Sequence, residues 1–125
     1  MFECGQNCLS TVSEPPIGQL TSGHRDNWYG AYTALQQFPE NNTNFDDIDD
    51  SMFVVCLDDN SMPKNIDFSH KQFFHNNNGR NRWFDKCVQI IVASSGRAGC
   101  NGEHTPADAV VPGKLFEYVI EKYPI

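Results

Sequence analysis

The stretch "NGEHTPAD", Asn101 to Asp108, carries a histidine with one acid directly before it and a second four residues later. Imidazole titrates near neutrality, so a histidine at an accessible turn can take a proton from an attacking hydroxyl and return it to a leaving group. Asp108 has two readings. It can cap the helix that follows, accepting backbone N–H bonds at the positive end of the dipole, or it can bias the charge and orientation of a site around His104. Local pattern alone leaves both open.

Other constellations are weaker. The acidic run "DDIDD" (46–50) has no glycine at the turn position and no glutamate seven residues on, so it fails the calcium-loop pattern and reads as a solvated surface. His70 and His75 are spaced five apart and do not share a helix face as zinc ligands would; no metal site is expected. The chain has five cysteines, an odd number with no C-x-x-C pair. Cys56 and Cys87 fall in strand-like apolar runs, so free thiols and no disulfide-linked partner are expected, as suits an intracellular, reducing compartment.

The elements that must position His104 follow from periodicity and turn residues. Residues 1–15 read as an irregular N-terminal segment. A helix is expected over residues 22–38, with Trp28, Ala31, Tyr32 and Leu35 on one face and Pro39 as its stop. Residues 39–51 read as a polar link holding at most a helical turn. "MFVVCL" (52–57) reads as a central strand, and residues 66–79 as a short helix with Phe73 and Phe74 inward, closed by Asn and Gly. "CVQIIVA" (87–93) is a strand; Ser94-Ser95-Gly96 turns the chain, and residues 97–101 run back antiparallel. A last helix over residues 109–123 carries Val111, Leu115, Phe116, Val119, Ile120 and Tyr123 as an apolar stripe, with Pro112 in its first turn. The order helix, strand, helix, strand, strand, helix reads as α/β or α+β in one modest domain.

The chain of 125 residues has a formal net charge of −7. Nine basic residues scattered among sixteen acidic ones cannot supply the clustered cations that grip nucleic acid or an anionic membrane. No run of apolar residues is long enough for a membrane helix, and the first ten residues, with no basic region and no long apolar core, are not expected to act as a signal peptide.

Taken together, "NRWFDKCVQIIVASSGRAGCNGEHTPADA" (81–109) resembles the choline/carnitine acyltransferase family. The resemblance rests on Arg82, Trp83, Asp85 and Lys86 before an apolar strand, then Ser95-Gly96, then Glu103-His104 with Asp108-Ala109. Upstream, "PIGQLTSGHRDNWYGAYTAL" (16–35) is similar to the family's Leu-Thr-x-x-x-Arg-x-x-Trp helix, and residues 49–59 to its following strand. The resemblance implies transfer of an acyl group between coenzyme A and the hydroxyl of carnitine or choline. It implies His104 as general base, with Asp108, Arg25 and Glu103 in support and coenzyme A or acyl-CoA as co-substrate, with no permanently bound cofactor. Arg25 and Asp108 are expected to pair beside the histidine, while the "RWFDK" run is read as structural. Carnitine is expected over choline, and acetyl over longer acyl groups. The implied fold is α/β, a mixed sheet with flanking helices, with residues 16–125 as a partial domain; family enzymes are several times longer, with two similar halves, so the chain reads as part of one half and as inactive alone. The alternatives are a piece of a longer-chain carnitine acyltransferase or of a choline acetyltransferase, or a non-catalytic interaction module. Mitochondrion, peroxisome and cytoplasm are not distinguished.

Overall fold

The structure is a computed structural model that describes residues 15–59 and 65–123; the side chains of residues 76–78 are not described, and the N-terminal segment expected over residues 1–15 lies almost wholly outside. The element order is α1 (Ile17–Leu20), α2 (Arg25–Leu35), α3 (Pro39–Asp50), β1 (Val54–Asp58), α4 (Ile66–Gly79), β2 (Val88–Ala93), β3 (Ala98–Gly102) and α5 (Val110–Lys122). The strands form one mixed sheet in the order β1-β2-β3. β1 runs parallel to β2, with Cys56 opposite Ile91, and a parallel neighbour requires a crossover, which α4 supplies. β2 and β3 form an antiparallel hairpin pairing Ile90 with Cys100. Gly96 sits in its turn at φ +80, a left-handed conformation that glycine adopts without steric cost.

The mixed sheet with flanking helices is the expected one, but β1 lies at its edge and β2 at its centre. The apolar run over residues 52–57 misled here because only alternate residues of β1 go inward: Cys56 and Asp58 are buried, Val55 and Leu57 exposed. Pro39 does not end a helical region either. α2 closes at Leu35, and Pro39 opens α3, where its missing N–H is one that no helix could satisfy internally. What read as a polar link is thus a helix of 12 residues that buries Phe45. Phe45 lies 4.5 Å from the Tyr32 ring and 6.3 Å from that of Trp83, and Trp28 meets Trp83 edge-on at 5.6 Å. The α2 face read from the sequence is therefore the face that packs.

On one side of the sheet Cys56, Ile91 and Ala93 form the core, with Val54 and Phe73 packed against them. Phe73 presses so closely on β3 that a Cβ at Gly99 would sit 2.6 Å from its ring. Phe74, expected inward, is exposed, because consecutive residues of a helix cannot share one face. The middle of α4, the end of β1 and the loop before β2 are fastened by Arg82, whose side chain is 0% exposed, and Asp58, at 2%. The two make paired bonds of 3.0 and 2.8 Å, and Arg82 also donates to the carbonyls of Gln72, Phe73 and Asn81. Lys86 donates to the carbonyls of Asp49 and Ser51, and the Trp83 N–H to the buried Gln89 side chain. The structural reading of "RWFDK" fits these contacts. On the other side of the sheet stands α5, which carries the expected apolar stripe but has no buried residue.

Candidate active site

His104 lies two residues beyond the end of β3, in the turn that leads to α5. The hairpin fixes where that turn starts. The Glu103 N–H donates to the Cys87 carbonyl at 3.0 Å, which carries the ladder one residue past Gly102. After it the chain bends at His104, Thr105 and Pro106 before α5 begins at Val110.

His104 Nε2 stands 3.5 Å from Asp108 Oδ1, and the two side chains are 77% and 80% exposed. The spacing of four is made by a turn, not by a helix. Asp108 does not cap α5 with its side chain; the N-cap position is Ala109, and Asp108 contributes its backbone carbonyl to the Val111 N–H. Of the two readings of Asp108, the carboxylate beside the imidazole is the one the structure contains.

Arg25 corrects the expectation made for it. It does not pair with Asp108: its Nη1 lies 2.5 Å from Asp85 Oδ1, and its Nη2 donates to the Thr21 carbonyl at 2.8 Å. The reason is topological. The first turn of α2 faces the loop before β2, where Asp85 sits, and the buried Thr21 hydroxyl accepts from the Phe84 N–H at 2.7 Å in the same place. Asp85 is 60 residues from Arg25 in sequence, and no local pattern announces that pairing.

Glu103 binds Thr105 through both oxygens of its carboxylate. Oε2 accepts from the Thr105 N–H at 3.0 Å and Oε1 from the Thr105 hydroxyl at 2.8 Å. The reading of the sequence missed Thr105; the signal was an acid, a residue and a threonine in succession, a pattern that can close a short side-chain-to-backbone turn.

Two concavities meet at this turn. His104 and Glu103 line a cavity of 340 Å³ with Cys87, Val88, Cys100, Pro112 and Phe116. Glu103 and Thr105 also line a polar cleft of 490 Å³ with Thr21, Ser22, Arg25 and Asp85. The first is walled almost wholly by apolar groups and thiols. It shares Val88, Cys100 and Phe116 with a groove of 1140 Å³ that runs between the sheet and α5 past Ile90, Leu115, Val119 and Ile120. Burial pushes the Cys100 thiol above its usual range, which keeps it in the weakly nucleophilic protonated form. Cys56, Cys87 and Cys100 are free, whereas Cys4 and Cys8 lie outside the described residues. Among the described residues no group of three acids, histidines or cysteines converges to hold a metal ion, and no helix is long and apolar enough to cross a membrane.

An imidazole beside a carboxylate at the edge of a largely apolar cavity is an arrangement that can move a proton. Residues 5–124 match the family described as Choline/Carnitine o-acyltransferase. The chain is 39% identical over 124 residues to human carnitine O-acetyltransferase, covering 92% of this chain and 20% of that protein. It is 36% identical over 115 residues to human choline O-acetyltransferase, covering 86% of this chain and 15% of the relative. To the rat mitochondrial carnitine O-palmitoyltransferase 2 it is 37% identical over 110 residues, covering 88% and 16%. The chain thus spans at most about a fifth of the length of these relatives. On the family match along nearly its whole length, the chain belongs to the choline/carnitine O-acyltransferase family.

Proposed function

We propose that this chain supplies the general base of a coenzyme A-dependent carnitine O-acyltransferase, and that His104 is that base. The observation that carries the reading is the His104–Asp108 pair at the mouth of the apolar cavity. The ring nitrogen nearest Asp108 is Nε2, so the carboxylate charge favours the imidazole proton there and leaves the Nδ1 lone pair to act as base. The acceptor hydroxyl gives its proton to Nδ1 as its oxygen bonds to the thioester carbonyl carbon. The resulting imidazolium is stabilised by Asp108. The tetrahedral centre then collapses with loss of the thiolate, which takes the proton back from Nδ1. No acyl-enzyme is required, because both substrates can react directly when held in line.

The apolar cavity suits the acyl group. Acetyl fits within its 340 Å³, and the adjoining groove leaves room for longer chains. Carnitine is the proposed acceptor and acetyl the proposed acyl group, in line with human carnitine O-acetyltransferase at 39% identity. Alone, the 125-residue chain is proposed to be inactive: an imidazole 77% exposed cannot exclude water from two substrates.

The test is a graft in which residues 17–123 replace the matching segment of human carnitine O-acetyltransferase. Acetyl transfer from acetyl-CoA to carnitine, faster than to choline, is the expected result. A folded graft that acetylates choline and not carnitine would move the acceptor to choline, and one that transfers to neither would sink the reading.

A further inference from the structure

We propose that Glu103 and Thr105 form a clamp that positions His104, a role that rests on the reading of His104 as the base. The turn carrying His104 has little burial to hold it, since the imidazole and Asp108 are both largely exposed. What holds it are bonds on either side of the histidine. Before it, the Glu103 N–H is tied to the Cys87 carbonyl and so to the sheet. After it, Thr105 is tied twice to the Glu103 carboxylate, through its N–H at 3.0 Å and its hydroxyl at 2.8 Å. The side chain of Glu103 thus reaches across His104 and fixes the backbone on its far side. With residues 103 and 105 fixed, the imidazole lies along the turn with Nε2 3.5 Å from Asp108, whose charge favours a proton on that nitrogen.

The clamp uses an ionised acceptor with two oxygens and a neighbour offering two donors. Valine at position 105 keeps the shape and the N–H but loses the hydroxyl bond; serine restores it. Alanine at position 103 removes both bonds. Both residues are exposed, so these changes leave the buried core untouched.

Two measurements test the clamp. In the 125-residue chain, long-range proton–nitrogen NMR correlations report which imidazole nitrogen of His104 carries the proton. One tautomer, Nε2–H, is expected in the parent and in Thr105→Ser. A mixture is expected in Thr105→Val, more evenly divided in Glu103→Ala. In the graft, kcat is expected to fall by up to about 100-fold in Glu103→Ala with KM unchanged, as for a small displacement of a reacting group, and by less in Thr105→Val. Thr105→Ser is expected to return kcat to the parent value. The proposal is overturned if Thr105→Val and Glu103→Ala leave the tautomer of the parent in place, or if serine fails to rescue valine. The NMR measurement needs no catalysis, so an inactive graft would count against the acyltransferase reading and leave the clamp to be decided by the tautomer alone.

Discussion

Replacing Arg82 by leucine tests the frame on which the site is mounted. Arg82 and Asp58 are 0% and 2% exposed, and all five guanidinium N–H groups have partners. Leucine takes from the buried Asp58 carboxylate its paired bonds to the guanidinium, while the Asn81 side chain still donates to it at 2.9 Å. Removing one member of a buried pair costs about 3–5 kcal/mol. The carbonyls of Gln72, Phe73 and Asn81 lose a donor as well, at about 1 kcal/mol or more for each that finds no other. The expected loss is therefore at least about 4 kcal/mol. A chain of this size has a total stability of about 6–19 kcal/mol at the usual per-residue values, so the variant is left marginal or unfolded. Urea unfolding followed by the fluorescence of Trp28 and Trp83 measures the loss directly, and those rings sit in the region that Arg82 holds together. A second variant separates charge from carbonyl satisfaction. Arg82→Met with Asp58→Leu removes both charges at once, and such replacements are often nearly neutral. It is expected to recover most of the loss, leaving only the carbonyl part. A single Arg82→Leu variant within about 1 kcal/mol of the parent would refute the reasoning, since surface substitutions cost no more. So would a double variant no more stable than the single one.

Three further outcomes follow from particular contacts. Gly99→Ala should destabilise by about 1–3 kcal/mol, because its Cβ meets the Phe73 ring at 2.6 Å, whereas Gly113→Ala in α5 meets open space and should stabilise by up to about 1 kcal/mol. Thermal or urea unfolding distinguishes the two, and equal effects would contradict the packing described. The hydrogen bond to Asp49, together with burial and the carboxylate charge, holds the Tyr32 phenol up to about 12 from 10.0. Since the folded value lies above the unfolded one, this contribution is full below about pH 10 and is lost as pH rises toward 12. Tyr32→Phe should remove that part of the alkaline destabilisation, and parallel unfolding curves for both proteins from pH 9 to 12 would refute it. Because burial raises its thiol, Cys100 should react with iodoacetamide more slowly at pH 7.5 than an unstructured cysteine peptide, and peptide mass spectrometry reads the site; equal rates would contradict the burial.

What the sequence disclosed was local. The apolar run over residues 87–93, the glycine of the hairpin turn and the helical spacing of Trp28 and Tyr32 are signals carried by neighbouring residues, and each became the element it described. The four-residue interval from His104 to Asp108 was likewise visible, though a turn and not a helix closes it. What escaped was non-local or depended on context. Asp58 lies 24 residues from Arg82, and Asp85 lies 60 from Arg25; an aspartate in a chain with sixteen acids gives no sign of which cation it will meet. Pro39 read as a stop because proline cannot continue a helix from within, yet the same missing N–H and fixed φ suit the first turn of the helix that follows. The stripe on α5 showed that a face is apolar, but periodicity does not show what covers it, and here Leu115, Val119 and Ile120 remain exposed.

The measurement that bears most directly on the central claim is the acetyl-transfer rate of the graft with His104→Gln. Glutamine keeps the polarity and approximate size of imidazole but cannot take up a proton at neutral pH. If His104 is the general base, kcat should fall by about 10²–10⁴, with the protein folded and carnitine still bound. A His104→Gln graft that transfers acetyl at the rate of its parent would contradict the account.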